Sequence, residues 1–330
     1  KKREESTMKP INGTWLEIHH HGLPEGKYFN PMIHEFSDKQ WKAKVKEIAS
    51  LKMKYIVLMG IAYTDYEIQE SYFPSTIYPK SKRIRAKEPI KAILQEAEKQ
   101  GMKVFLSVGF YGPWPQPYEN MVSEEVYQKA TKAMKELYDL YGHYESFYGW
   151  YYPDETEIEP YFHPEFIQYV NRYSAFVKTL NPNLKTLIAP YGTRKVQTDD
   201  YFVQQLKELD VDFVAYQDEV GVKKATPEQT KEFYKNLKKA HDQANRSKLW
   251  ADVETFTFEG EVYKSALLPT PIKRLEAQLE SVSPYVDEIL VFEYQGMMNQ
   301  PQTIAFCGHP DSIQYYKDYK KLLKKITKGK

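Results

Sequence analysis

Eight short apolar runs alternate with eight amphipathic windows along this chain, and that alternation restricts its fold more than any other feature. The runs span Thr14–His19, Tyr55–Met59, Val104–Val108, Phe147–Tyr152, Thr186–Ala189, Phe213–Tyr216, Leu249–Glu254 and Ile289–Glu293. Most are almost continuously apolar, as parallel strands covered on both faces must be. The helical windows are Asp38–Leu51, Pro89–Gln100, Glu124–Tyr141, Pro164–Leu180, Asp199–Leu209, Pro227–Ala244, Pro271–Val282 and Ser312–Ile326. Ser37 or Asp38, Thr226 before Pro227, and Thr270 before Pro271 are N-cap candidates, since a short side-chain oxygen satisfies first-turn N–H groups and proline suits the first turn. Gly101 and Asn181-Pro182 read as stops. Eight strand–helix pairs in strict order predict an α/β fold, a single (β/α)8 TIM barrel.

The 330-residue length suits one barrel with extended loops, and no Ser/Gly/Pro-rich linker divides it, so a barrel domain over 12–330 is expected behind an amino-terminal arm, 1–11. The balance of 46 Lys+Arg against 45 Asp+Glu argues against a nucleic-acid partner. The one basic stretch, Lys317 to Lys330, reads as the solvated face of a last helix. No window is apolar enough to span a bilayer. A start at Lys1 without Met fits a removed signal peptide or lipoprotein anchor, and equally an arbitrary boundary. Cys307, the single cysteine, excludes an intrachain disulfide and a cysteine-based zinc site. A monomer without a cofactor is expected.

In a barrel of this kind the strand-to-helix loops wall the carboxyl-end face, where function sits. The longest here are Gly60–Lys87, Gly109–Ser123, Thr255–Thr270 and Tyr294–Asp311. Three strand ends hold a glutamate worth testing, Glu155, Glu254 and Glu293, and glycoside hydrolysis needs a carboxylic acid to protonate the leaving oxygen and a carboxylate as nucleophile or base. Glu155, after the fourth strand, is the candidate acid/base, and Glu254, ending the seventh, the candidate nucleophile. On different sides of the mouth they can approach to about 5 Å, the spacing for retention. The aromatic run before Glu155 would crowd its carboxyl and raise its pKa. Each has a plainer reading: Glu155 as a helix-entry acid in Pro153-Asp154-Glu155-Thr156, Glu254 as an inward carboxylate paired with Arg or Lys.

Around this pair, Glu17 and His19 at the first strand end, Asp154, Glu293 at the eighth, and Tyr216-Gln217-Asp218 at the sixth are candidate substrate contacts, with Asp218 able instead to orient the nucleophile. Trp114, between prolines, and Trp150 and Tyr151 are candidate platforms for sugar rings. Arg83, Arg85 and Arg194 are candidates for recognising acidic sugars. His19-His20-His21 do not make a metal motif, because consecutive residues of an extended chain cannot all face one point, and no metal ligand set is assigned. Nucleotide-binding glycine loops and the Gly-x-Ser-x-Gly elbow of serine hydrolases are missing from the sequence.

Gly149-Trp150-Tyr151-Tyr152-Pro153-Asp154-Glu155, Tyr216-Gln217-Asp218 and Trp250-Ala251-Asp252-Val253-Glu254-Thr255-Phe256 together resemble a bacterial family of glycoside-hydrolase-like barrels, domain-of-unknown-function family 4434, over Asn12 to about Lys325. The resemblance implies an exported protein, periplasmic or lipoprotein-anchored, that acts on a polysaccharide or oligosaccharide. The layout is also similar to the retaining-glycosidase clan, whose acid/base and nucleophile fall on Glu155 and Glu254. Asp154 departs from the Asn that usually precedes the acid/base and contacts the sugar 2-hydroxyl. A retaining glycosidase is therefore expected, with a carbohydrate-binding barrel and a metal-dependent hydrolase using the His19 region as alternatives.

Overall fold

The computed structural model describes residues 8–328, so most of the expected amino-terminal arm lies outside the described residues. Eight parallel strands close into a barrel: β1 (Gly13–Leu16), β2 (Tyr55–Leu58), β3 (Lys103–Ser107), β4 (Phe147–Tyr151), β5 (Lys185–Ile188), β6 (Phe213–Gln217), β7 (Lys248–Glu254) and β8 (Glu288–Phe292). Each pairs with the next, and β8 closes on β1 through Gly13–Leu290 and Thr14–Val291. The chain is a (β/α)8 barrel. Its outer helices are α1 (Asp38–Ser50), α2 (Pro89–Lys99), α3 (Glu124–Tyr141), α4 (Pro164–Leu180), α5 (Asp200–Glu208), α6 (Pro227–Ala244), α7 (Ile272–Val282) and α8 (Ser312–Lys328). No described helix is long and apolar enough to cross a membrane.

Local chemistry accounts for several boundaries. Ser37 and Thr226 each form a reciprocal capping box, with Gln40 and Gln229 respectively, which supplies two partners to otherwise unsatisfied first-turn groups. Thr270 does not cap α7: the cap position is Pro271, and the Thr270 hydroxyl is buried without a partner. Along α8 the buried stripe is Tyr315, Tyr316, Tyr319, Leu322, Leu323 and Ile326, while Lys317, Lys320, Lys321, Lys324 and Lys325 face water. Two hairpins escaped the sequence reading because they lie inside long loops: Ala62–Thr64 with Gln69–Ser71 after β2, and Phe256–Phe258 with Leu267–Pro269 after β7.

Two apolar layers follow from the alternation of side chains along each strand. An inner cluster fills the barrel with Trp15, Tyr55, Val57, Phe105, Tyr151, Leu187, Ala215, Trp250 and Leu290. A larger cluster joins the outward residues to the helices. On β7, Trp250 belongs to the inner cluster and Leu249, Ala251 and Val253 to the outer one, so Asp252 and Glu254 turn inward on the same register. On β4 the alternation breaks at Gly149: Tyr148 and Tyr151 pack inward, Phe147 and Trp150 outward, beside an irregularity in the β3–β4 register. A Cβ at Gly149 would stand 2.3 Å from the Lys185 carbonyl oxygen, too close for any other residue at this approach of β5.

Candidate functional site

A cleft of about 960 Å³ opens at the carboxyl ends of the strands. Its floor includes Trp15, Met59, Tyr151 and Phe292 from the upper part of the inner cluster. Glu155 and Glu254 both line it, as do Asp154, Asp252 and Gln217. The rim is aromatic: Trp114 from the β3 loop, Tyr66 from the β2 loop, Tyr191 after β5 and Tyr263 after β7.

Glu155 reaches the cleft just beyond β4. Both its carboxylate oxygens accept from the Gln217 amide, at 3.2 and 3.0 Å, and that amide also donates to the Ala189 carbonyl at 2.9 Å. Gln217 thus fixes the carboxyl between β4 and β6. Burial pushes the Glu155 carboxyl up to about 8, partly opposed by the Gln217 bond and reinforced by Asp154 and Glu219. At neutral pH it is mainly an acid, the state a proton donor requires. Asp154 is buried and driven to about 7 by the same loss of hydration, its Oδ1 lacking a partner. The Asp154 N–H donates to the Tyr169 hydroxyl at 3.3 Å, which holds the turn.

Glu254 ends β7 in a backbone cradle. Its N–H donates to Asp218 Oδ1 at 3.2 Å; its carbonyl accepts from Arg274 Nη2 at 2.7 Å and from Gln278 Nε2 at 2.9 Å. Among the described residues the carboxylate itself accepts only from the Val222 N–H, at 3.2 Å. Burial, then the nearby Asp218, raise this carboxyl well above the usual range. A Cβ at Gly221 would lie 2.8 Å from the Glu254 Cβ, so glycine there lets the β6 loop pass close by. Asp218 is fully buried, bonded to Gln278 and to the Val220 and Glu254 N–H groups, and raised to about 6 by burial. It lies behind Glu254 as a support rather than in the cleft.

The model of the family described as "Domain of unknown function (DUF4434)" matches residues 11–305. The chain belongs to this family. Among solved structures, a candidate alpha-L-fucosidase from Bacteroides thetaiotaomicron aligns with TM-score 0.76 at 18% identity, covering 98% of this chain and 96% of its own. A glycoside hydrolase family 5 mannosidase from Rhizomucor miehei gives 0.58 at 14%, covering 99% and 98%. An endo-beta-1,4-mannanase from Thermotoga petrophila gives 0.58 at 10%, covering 97% and 77%. At such identities the similarity establishes the (β/α)8 barrel and nothing finer. No curated protein matches the chain.

In this DUF4434 barrel, the cleft gathers Trp114, Tyr151, Asp154, Glu155, Gln217 and Glu254 of the residues expected from sequence. Trp150 and Tyr216 are not available as sugar platforms. Both are fully buried in the layer between strands and helices, where Trp150 meets Phe147 and the Tyr216 hydroxyl meets His241 at 2.9 Å. His19 also turns from the cleft, its Nδ1 bonded to His34 Nε2 at 2.9 Å and its ring against Tyr63. Burial, with Arg83 and neighbouring histidines, lowers it to about 2, so it is neutral. His20 and His21 are the residues of that triplet that line the cleft. Glu17 and Glu293 lie deeper, buried at the β1–β8 seam. The arginines proposed for acidic sugars are committed elsewhere: Arg83 pairs with Glu70, Arg194 with Glu219 at 2.9 Å, and Arg85 is exposed outside the cleft.

Asp252 was missed. It is 4% exposed, its Oδ1 has no partner, and burial, then Glu254, Asp218 and Glu155, raise it well above the usual range. Its place two residues before Glu254 on an alternating strand was the available signal.

Proposed function

We propose that this cleft hydrolyses glycosidic bonds with retention, Glu155 acting as acid/base and Glu254 as nucleophile. The observation that carries this reading is a Glu155 carboxyl held up to about 8 and facing the same cleft as a Glu254 carboxyl presented from β7. Glu155 protonates the leaving oxygen while Glu254 attacks the anomeric carbon; after departure Glu155, now a carboxylate, takes a proton from the water that releases the sugar. Among the described residues no cation pairs with the Glu254 carboxylate, Arg274 being bonded to backbone carbonyls. The positive charge developing on the sugar ring is the partner it lacks, and that charge exists only in the transition state. Asp154 near neutrality carries a proton in part, so its O–H can donate where the resembling clan uses an asparagine N–H.

The substrate is a neutral glycan. The cleft is lined by Glu25, Asp65, Asp154, Glu155, Glu219, Asp252 and Glu254, against Lys224 and His20 as cationic groups, and among the described residues no arginine lines it. An anionic sugar would find no guanidinium among these lining residues to bind it.

The test is a screen of neutral and uronic-acid oligosaccharides, followed by NMR of the first product formed from an active substrate. Hydrolysis with the anomeric configuration retained, abolished in Glu254→Ala, is expected. Inverted product removes the nucleophile role. Glycan binding without turnover under any condition would leave a carbohydrate-binding barrel instead.

A further inference from the structure

The seam where β8 closes on β1 holds a second group of donors that the proposed hydrolysis does not use. Glu17 extends β1 inward, His20 follows three residues later, and Glu293 comes immediately after β8. One oxygen or nitrogen from each lies within 4.8 Å of the others. Their exposures are 1%, 3% and 0%. Glu293 is the anomaly. Neither of its carboxylate oxygens meets a hydrogen-bond donor, and its carboxyl abuts that of Glu17. Two buried carboxyls in contact, one without any donor, require a cation or a shared proton between them.

Everything around the group fixes its geometry. Gln295 clamps the Glu17 backbone, its Oε1 accepting from the Glu17 N–H at 2.7 Å and its Nε2 donating to the Glu17 carbonyl at 2.8 Å. Asn30 does the same for His20, at 2.9 and 2.8 Å. The His20 ring is oriented from its far side: Glu25 Oε1 meets Nε2 at 2.9 Å, which turns Nδ1 toward Glu17 at 2.8 Å. A carboxylate on the outer nitrogen of an imidazole, with the inner nitrogen facing anionic oxygens, is the support that orients a metal-bound histidine.

We propose that Glu17, His20 and Glu293 form a binding site for one divalent transition-metal ion of the zinc or manganese type, with Nδ1 of His20 as its nitrogen ligand. Two carboxylates neutralise a charge of +2, and the imidazole disfavours calcium and magnesium, which take oxygen sets. Entry runs through the cleft, which His20 lines. The ion ties β1 to β8 and fixes the His20–His21 wall of the cleft. Sequence spacing could not reveal the site, because Glu293 lies 276 residues beyond Glu17 and joins it only on barrel closure.

The experiment is calorimetric titration of the chelator-treated intact chain with Zn²⁺ and Mn²⁺ separately, and with Mg²⁺ and Ca²⁺ as controls. One equivalent of Zn²⁺ or Mn²⁺ is expected to bind, with protons released to the buffer and a higher melting temperature. Glu293→Gln should weaken binding at least tenfold, and Glu25→Gln, at the outer nitrogen, by roughly 10–100-fold. His309→Ala, at a half-buried histidine outside the three-residue group, should leave it unchanged. If Glu293→Gln does not fold, Glu25→Gln carries the test. Failure of Zn²⁺ and Mn²⁺ to bind at millimolar concentration overturns the proposal in favour of a shared proton, and binding undiminished in the Glu293 and Glu25 variants assigns the ion elsewhere. These readouts stand apart from hydrolysis, so either proposal can fail alone.

Discussion

Two groups of buried carboxyls lie at this end of the barrel, and one of them contains an imidazole. At the β1–β8 seam, burial alone would raise Glu17, but the His20 charge and hydrogen bond outweigh it and hold Glu17 below the usual range. Burial likewise works against His20, yet Glu17 and Glu25 carry it up to about 10. On the β4–β7 side no imidazole stands among the carboxyls. Burial outweighs the hydrogen bonds that oppose it there, and Asp154, Glu155, Asp252 and Glu254 all rise. Desolvation is therefore overcome at Glu17, which His20 hydrogen-bonds, and prevails at Glu293 and at the β4–β7 carboxyls, which no imidazole touches. Retained protons are what general acid catalysis uses; fixed charge holds structure or an ion.

The difference predicts unlike responses to mutation. On the β4–β7 side, Glu254→Ala should lower kcat by roughly ten-thousand-fold, about 5 kcal/mol of barrier, with little loss of melting temperature. Steady-state kinetics beside a thermal melt separates the two effects, and retained activity would remove Glu254 from the chemistry. At the seam of the metal-free protein, His20→Ala leaves Glu17 without its cation and should cost roughly 3–5 kcal/mol of stability near neutral pH. Because the folded His20 pKa is raised, its contribution is full below about 6.5 and disappears as pH rises through about 10, so the gap between parent and variant should narrow across that window. A gap that widens with pH would mean that His20 is not the compensating cation.

Glu155→Gln should change stability in the other direction. A carboxyl raised to about 8 destabilises the fold increasingly as pH climbs from about 4.5, so the neutral glutamine should be the more stable form above that range, by roughly 1–3 kcal/mol at pH 8. Urea unfolding of parent and variant at pH 5 and pH 8 measures it. The same shift should place the alkaline limb of kcat/KM near pH 8, while the raised Glu254 moves the acid limb above the ordinary carboxylate range. An optimum near pH 4 to 5, the range of unperturbed carboxylates, would contradict both.

The barrel was legible because burial on both strand faces writes continuous apolar runs, and capping boxes such as Ser37–Gln40 mark helix starts directly. The site was legible only where strand register was respected. Glu254 follows from it, and Asp252 would have too. Trp150 and Tyr216 fail for the same reason: when Tyr151 and Gln217 face the cleft, their preceding neighbours must face the helices. Tyr191 and Tyr263 come from loops with no period to read, and the pairing of Glu17 with Glu293 depends on closure, which no local pattern encodes.

The smallest expected effect tests the rim, where neither proton nor charge is at issue. Trp114 is half-buried, stacks near His21 with ring centroids 4.4 Å apart, and leaves part of its face to the cleft. A sugar ring covering that face would gain apolar contact in ground and transition states alike. Uniform binding of this kind changes KM and leaves kcat alone. Trp114→Ala should therefore raise KM by about tenfold, near 1.4 kcal/mol, at constant kcat. Trp150→Phe, set in the helix layer, should lower the melting temperature and leave KM untouched. If Trp114→Ala lowers kcat instead, the rim positions the reacting bond, and the contrast between it and the carboxyl floor no longer holds.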